Sequence, residues 1–233
     1  MTAFLTAVLG VLLSLSLSGC GAAAPTRVAA QAAETQANAR EDIQIVDSGW
    51  SVSDGNLTYG AIVRNPNADW RCERATLHVV GRDAEGRKVF GFLEDAEAVG
   101  AGSECALGDI ACGDAADVAA VEFSVEVDES DWAPADGEPA PSYDLSSVER
   151  VPAPSGMVAD ELLVGTVTPD EDGPVWVTVI ARDGAGAIVG GAAAYVEPEG
   201  AGKETRFQAN CWLPRDGVAS YKAYVSPTEH NEG

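Results

Sequence analysis

The chain has 233 residues and a formal net charge of −23, from 37 acidic against 14 basic residues. A negative field of this size opposes phosphate backbones, so we expect no nucleic-acid partner. The length is enough for a short leader and two small domains, each with a modest core.

The first element is an uncharged apolar segment over residues 1–19, which ends in Leu17-Ser18-Gly19 and is followed by Cys20. An apolar run of this length before small residues is typical of a secretory signal peptide, which is too short for a comfortable membrane span. The last four residues resemble the lipobox at which bacterial lipoprotein precursors are cut and lipidated. The resemblance implies that Cys20 becomes the mature N-terminus and that its acyl chains bind membrane lipid. An ordinary signal peptide with a nearby cysteine is the alternative.

The sequence predicts three segments that lie outside the folded domains. Residues 20–41 have no apolar period, which predicts a flexible tether. Residues 134–145 are rich in Pro, Gly and Glu, which predicts a rather stiff linker. With a tail at residues 228–233, the first domain is expected over residues 42–133 and the second over residues 146–227.

The two predicted domains look like copies of one unit. At an offset of 100, residues 82–86 (Arg-Asp-x-x-Gly) match residues 182–186. At an offset of 105, residues 57–60 (Leu-x-Tyr-Gly) fall on residues 162–165 (Leu-x-Val-Gly). The change of offset predicts that the second copy has lost five residues from the next loop. Chance similarity between Gly/Ala/Val-rich segments is the alternative.

Within each copy, short Val/Ile/Tyr/Trp-rich runs are bounded by Gly, Pro, Asn and Asp at the spacing of a β-sandwich. Asp-x-x-Gly segments between neighbouring runs favour hairpin turns. The predicted strands lie near 43–50, 57–64, 74–82, 87–94, 104–110 and 118–127, and near 146–152, 161–167, 175–182, 187–196, 203–212 and 218–226. The chain is therefore predicted to be all-β, with two sandwiches in tandem.

A family resemblance rests on residues 59–67 (Tyr-Gly-Ala-Ile-Val-Arg-Asn-Pro-Asn), on residues 76–80 and on the turn at residues 83–86. These segments resemble the FxLYD-type domain, a sandwich found in envelope lipoproteins of bacteria, often in tandem. The resemblance implies that both sandwiches are immunoglobulin-like. It implies no catalytic residues.

Four cysteines remain after Cys20, namely Cys72, Cys105, Cys112 and Cys211. An even number in an oxidising compartment makes all four disulfide candidates. Cys105 and Cys112 bracket a predicted strand and would lie roughly 23 Å apart, too far for a disulfide. The preferred pairs are Cys72 with Cys105 and Cys112 with Cys211, and the other connectivities stay open.

Four of the five tryptophans fall into two groups. Trp176 and Trp212 lie inside predicted strands, which favours the core. Trp70 and Trp132 lie in predicted loops beside Asp, and exposed aromatic residues in loops are common binding anchors. The candidate binding loop consists of Asn65, Asn67, Asp69 and Trp70.

Catalytic and metal motifs are not recognisable in the sequence. His78 stands alone in a predicted strand, His230 lies in the tail, and no Gly-x-Ser-x-Gly segment occurs. The cysteine spacing matches none of the usual zinc sites. Acidic residues at 128–131 and 170–172 are calcium candidates without EF-hand spacing, for which solvated charge is the favoured interpretation. We therefore predict no enzyme activity, no bound metal and no cofactor.

Together these features predict a non-catalytic protein anchored on the extracytoplasmic face of the cell membrane. It would act as a spacer or as a binding module for an envelope protein or polymer. The alternative is a lipoprotein that captures a solute or metal for a transporter. That alternative predicts a cleft between the two copies and a ligand-dependent rise in melting temperature.

Overall fold

The computed structural model describes residues 40–112, 115–137 and 141–228. The predicted signal segment, the lipobox with Cys20 and most of the predicted tether and tail lie outside these residues. No helix among the described residues is long and apolar enough to cross a membrane. The chain from Arg40 onwards forms one compact unit.

The first half of this unit contains eight strands among its described residues. They are β1 (Gln44–Ser53), β2 (Asn56–Arg64), β3 (Trp70–Arg82), β4 (Lys88–Val99), β5 (Glu104–Leu107), β6 (Ile110–Cys112), β7 (Ala120–Glu126) and β8 (Trp132–Pro134). Sheet I places β2 at the centre of β1, β5 and β6, and sheet II places β3 at the centre of β4, β7 and β8. All pairs are antiparallel.

The second half contains seven described strands. They are β9 (Tyr143–Leu145), β10 (Glu149–Pro152), β11 (Glu161–Pro169), β12 (Val175–Arg182), β13 (Ile188–Val196), β14 (Thr205–Asn210) and β15 (Ser220–Pro227). Sheet III places β12 between β13 and β15, and sheet IV places β11 at the centre of β9, β10 and β14.

Strand order is the same in the two halves. In sheets I and IV the second main strand lies between the first and the fifth, and in sheets II and III the third lies between the fourth and the last. In immunoglobulin lettering these are the neighbours A-B-E and C′-C-F. The predicted all-β class with tandem β-sandwiches is confirmed.

Irregular features recur as well. A β-bulge at Val89 lies opposite the step from Gly81 to Arg82, and its counterpart at Val189 lies opposite the step from Ala181 to Arg182. In the turn that follows, Asp83 and Asp183 each accept two backbone N–H groups through Oδ1. Each arginine also donates to the carbonyl of its turn glycine. Features of this kind show that the halves are structural repeats.

The second strand of each repeat aligns at an offset of 104, so the predicted offset of 105 is wrong by one residue. Val63 pairs with Cys105, whereas Val167 pairs with Thr205, and the two partners differ by 100. A slip of one residue exchanges the two faces of a strand. The predicted alignment would turn Leu162 into the core, but it lies outside the core cluster of the second half.

Two predicted boundaries also change. The single strand expected over residues 104–110 is divided into β5 and β6, because the Asp109 carbonyl bonds Tyr59 outside the regular ladder. The linker expected over residues 134–145 begins within β8 and contains β9, which pairs with the end of β11.

Side chains of β2 alternate between two cores, as its sequence predicts. Leu57, Tyr59 and Val63 belong to the core between sheets I and II. Ile62 points the other way, into a cluster with Ile180 of sheet III. The sheets therefore stack in the order II, I, III, IV, and we call the contact between sheets I and III the junction.

Glycine permits the close approach of the two halves at the junction. A Cβ at Gly49 would lie 2.0 Å from the carbonyl oxygen of Ile188, and a Cβ at Gly191 would lie 2.9 Å from that of Tyr59. No other residue leaves room for backbone this near. Because the obstacles are backbone atoms, the repeats cannot yield by moving a side chain.

A polar contact closes the side of the junction. Arg182 forms an ion pair with Asp47 of the first half and also donates to the Gly186 carbonyl. Ser51 donates to the carbonyl of Val189 across the same contact. Apolar packing, glycine contacts and polar bonds thus hold the repeats together.

Candidate functional site

Asn65 and Asn67 of the predicted binding loop are buried and bonded inside the protein. Asn65 Nδ2 donates to the carbonyls of Trp70 at 2.8 Å and Val99 at 3.2 Å, and its Oδ1 accepts from Asn67. Asn67 exchanges two hydrogen bonds with the backbone of Glu41. Both amides therefore position the loop and the incoming chain rather than facing a ligand.

The tryptophans of the predicted loops surround an arginine. The guanidinium carbon of Arg40 lies 5.3 Å from the ring centroid of Trp70 and 4.5 Å from that of Trp132. Contacts of this length are cation–π interactions. Both rings are half-buried, while Asp69 is exposed. Of the four residues of the candidate binding loop, Asp69 is the one whose side chain is left mainly to solvent.

Trp176, expected in the core, is instead 42% exposed and makes an edge contact with Tyr195 at 5.6 Å between centroids. It shares a face of β12 with Ile180, which is buried at the junction. Trp176 therefore points to the side where sheet I would lie, but sheet I does not cover it. Trp212 is half-buried.

The structure contains neither preferred disulfide, because Cys72, Cys105 and Cys211 are free thiols. Cys112 packs against the first core and Cys211 belongs to the second, so those two side chains serve different cores. Cys105 and Cys112 pair with residues of β2 that are six positions apart, roughly 20 Å, so they are too distant to bond.

Two of these thiols lie on the wall of one cavity. Cys72 donates to the Arg74 carbonyl at 3.1 Å, and the sulfur of Cys105 lies 3.1 Å from Ser226 Oγ. Burial raises the pKa of each thiol to about 11. Both are therefore protonated at neutral pH, and a thiol is a much weaker nucleophile than a thiolate.

Four carboxylates of the two acidic loops bond to groups of the protein itself. Hydrogen bonds from Ser142 lower the pKa of Asp170, and Asp172 accepts from a backbone N–H. In the other loop, Glu129 and Asp131 each form an ion pair with an arginine. Among the described residues there is no group of three or more His, Cys, Asp or Glu placed to hold a metal ion.

A cavity of about 520 Å³ lies between the two repeats. The first repeat lines it with Cys72 and with residues from 98 to 105, and the second lines it with Tyr143, Glu171 and residues 225–227. This volume falls within the usual range for small-molecule sites. Only the packing of the repeats creates it, so no local sequence signal could have located it.

The lining of this cavity is acidic with apolar walls. Arg71 lies 3.4 Å from Glu73, so that positive charge is already paired. Glu104 and Glu171 line the cavity from opposite repeats, and neither has an ion-pair partner among residues 40–112, 115–137 and 141–228. Burial and nearby acids raise the pKa of Tyr143 to about 12, which keeps its phenol neutral.

A second acidic feature was missed by the sequence analysis. Glu94 lies on the inward face of β4 with Phe92 and Ala96, and its Oε2 is buried without a hydrogen-bond partner among the described residues. Burial, together with the charges of Asp109 and Asp95, raises the pKa of Glu94 to about 7. The alternation of residues along β4 could have predicted this position, because it places Glu94 on the same face as the core residues Phe92 and Ala96.

Comparisons with known proteins add little. No family model and no curated protein matches the chain. Among solved structures it is similar to a β-glucuronidase from Ruminococcus gnavus in complex with D-glucaro-d-lactam, at 16% identity and a TM-score of 0.21, over 76% of this chain and 34% of the other. The same enzyme with C6-substituted uronic isofagomine gives 14% identity and a TM-score of 0.21, over 83% and 44%. The chain thus spans less than half of these proteins, and scores this low do not show a shared fold.

Proposed function

We propose that the protein is a lipid-anchored, extracytoplasmic lipoprotein whose repeats serve as a non-catalytic spacer or binding module of the cell envelope. The observation that supports this best is the junction. Backbone contacts at Gly49 and Gly191 hold two sandwiches as one body, which suits a part that must keep a fixed reach. The sequence of residues 17–20 supports the anchor by its resemblance to a lipobox.

The buried thiols agree with a non-catalytic role. Cys72 and Cys105 line the cavity, but burial raises their pKa and suppresses the thiolate. Glu94, whose pKa is also raised, lies on a core face rather than on the cavity wall. Groups of unusual pKa are therefore accounted for by packing.

The anchor is tested by expressing the full-length chain in a bacterial host and measuring its mass and location. We expect a mature chain that starts at Cys20, carries acyl groups and sediments with membranes. The variant Cys20→Ser should lose the acyl mass and leave the membrane fraction. An unprocessed wild-type chain in the cytosol would contradict the proposal.

The rigid body is tested by calorimetry of the full-length protein. Two repeats that share the junction should unfold in one transition, with equal calorimetric and van't Hoff enthalpies. Two separate transitions in the wild-type protein would refute the spacer function, since the repeats would then be independent. A hydrolytic or transfer activity abolished by one side-chain change would refute the non-catalytic role.

The cavity favours a second candidate function, the capture of a solute. It lies between the repeats, where that function predicts a cleft, and both repeats contribute lining residues. A captured solute would raise the melting temperature, and by more as its concentration exceeds its dissociation constant. Screening solutes of different charge classes by thermal shift tests this candidate.

A further inference from the structure

The chemistry of the cavity wall selects a class of ligand. We propose that the cavity binds an organic cation, meaning an ammonium or substituted ammonium group on a small apolar body. The inference rests on the second candidate function, solute capture, and specifies its solute.

Charge is the first argument. Three carboxylates line the cavity, from Glu73, Glu104 and Glu171, against the single guanidinium of Arg71, which pairs with Glu73. An anion would face the two unmatched carboxylates, whereas a cation is attracted to both. The net charge of −23 on the whole chain also raises the local concentration of cations.

The apolar wall is the second argument, and it separates an organic from an inorganic cation. Val99, Val225 and Pro227 line the cavity and would desolvate an alkyl body. Tyr143 adds an aromatic ring that stays neutral, and ring faces attract ammonium groups. A calcium ion instead needs six or more oxygen ligands close together, and the described residues offer no such cluster.

The junction is the third argument, because it fixes the site before any ligand arrives. Glu104 belongs to the first repeat and Glu171 to the second, so their separation depends on how the repeats are docked. Contacts at Gly49 and Gly191 are between backbones and leave little freedom. A site whose backbone positions are already fixed loses less entropy on binding.

The test uses the purified full-length protein in detergent at low ionic strength. The probes are tetramethylammonium, choline and 1,4-diaminobutane, with tert-butanol as a neutral analogue, glutarate as an anion and calcium as an inorganic cation. We expect at least one organic cation to bind in calorimetry at one site and to raise the melting temperature. Added salt should weaken this binding, since it screens the carboxylates.

Paired variants connect the binding to the cavity. The double variant Glu104→Gln with Glu171→Gln should lower the affinity for the organic cation by about tenfold or more, because it removes both unmatched charges. Glu149→Gln with Glu199→Gln makes the same change of net charge at exposed residues outside the cavity wall, and should alter the affinity by less than about twofold. Equal weakening by both double variants would overturn the site.

The responses to the other probes distinguish failure of the organic-cation site from failure of solute capture. A response to tert-butanol, glutarate or calcium, with none to the organic cations, would overturn the inference and leave solute capture standing. No response to any probe at millimolar concentration would overturn both. The spacer function is tested separately, by the unfolding transition.

Discussion

Sheets II and III are equivalent parts of the two repeats, yet their outer faces differ in exposure to solvent. On sheet II the outer face is polar: His78 Nε2 lies 3.3 Å from a carboxylate oxygen of Glu126, and Arg82 forms an ion pair with Glu122 at 2.8 Å. On sheet III part of the corresponding face is buried at the junction, where Ile180 is fully covered, while Trp176 remains 42% exposed. One duplicated surface has become a charged exterior and the other an interior.

This difference separates a face that favours stacking from a face that opposes it. The junction joins unlike faces, sheet I of one repeat to sheet III of the next, and contacts between unlike faces can continue without limit. Charged pairs on the outer face of sheet II oppose another sandwich there, much as terminal repeats of a solenoid are polar outside. Variants of the two repeats test this difference.

The acid in the first core should produce the largest effect. Glu94 aligns with Ala194 of the second repeat, so the first core alone carries a carboxylate at this position. Its pKa rises from 4.5 to about 7 on folding. The folded state therefore binds the proton more tightly, and the resulting stability is present below pH 4.5 and is lost as the pH rises through 7.

The variant Glu94→Gln removes this dependence. At pH 8 we expect it to raise the free energy of unfolding by up to about 3 kcal/mol, and at pH 4 to change it little. Urea unfolding across this pH range measures the difference. The exposed Glu149→Gln should show no such trend, and a Glu94→Gln protein that keeps the wild-type pH profile would disprove the assignment.

Equivalent glycines give the second prediction. Gly191 lies at the junction, where a Cβ would meet the Tyr59 carbonyl at 2.9 Å, so Gly191→Ala should cost about 2 kcal/mol. Gly91 is its counterpart on sheet II, and its Cβ would meet only the mobile end of Lys88 and, at 3.5 Å, the Val79 carbonyl. Gly91→Ala should change stability by less than about 0.5 kcal/mol. Chemical unfolding of both variants tests the comparison, which fails if the two losses are equal.

The amide of Asn65 gives the third prediction. This amide donates to the carbonyls of Trp70 and Val99, and Asn65 is fully buried. Asn65→Ala should therefore lower the free energy of unfolding by about 1 to 3 kcal/mol, because it leaves buried groups unpaired. Asp69→Ala, in the same loop but exposed, should stay within about 0.5 kcal/mol. Hydrogen exchange should show the loss of protection within the first repeat. A loss of protection centred on the second repeat would contradict this assignment.

The smallest effect is expected at the rim of the junction. Arg182 and Asp47 form an ion pair with side chains 25% and 39% exposed, so their coupling in a double-mutant cycle should be about 0.5 to 1 kcal/mol. Molar salt should reduce it. A cycle that gives no coupling at low salt would remove this pair from the contacts that hold the repeats.

Local patterns predicted the strands well, because alternation and turn chemistry act within a few residues. The bounds of β2, β12 and β13 agree with prediction to within one or two residues. Loop lengths were harder to predict, since they depend on how far apart the joined strand ends lie in the folded protein. Val52 and Leu57 pair across the turn between β1 and β2, whereas their counterparts Pro152 and Glu161 enclose residues 153–160. The second turn is therefore four residues longer, and this insertion changes the repeat offset from 100 in the first strand to 104 in the second.

The site was less predictable, because it depends on contacts between repeats. Asparagines in a loop suggested recognition, but Asn65 satisfies buried backbone groups instead. The glycines within strands were the readable signal for the junction, since Gly inside a strand often marks close approach of another backbone. Gly49 in β1 and Gly191 in β13 are both such positions. The cavity had no comparable signal.

The place where the chain enters the first sandwich has a mechanical consequence. Tension applied from the amino-terminal side reaches Arg40 first, which is clamped between Trp70 and Trp132 and paired with Glu129. The next residue, Glu41, is tied on both its N–H and its carbonyl to Asn67. A pulling force must therefore break these contacts before it can separate β1 from its sheet. The contacts of Arg40 and Glu41 thus protect the first repeat against mechanical unfolding from its amino-terminal end.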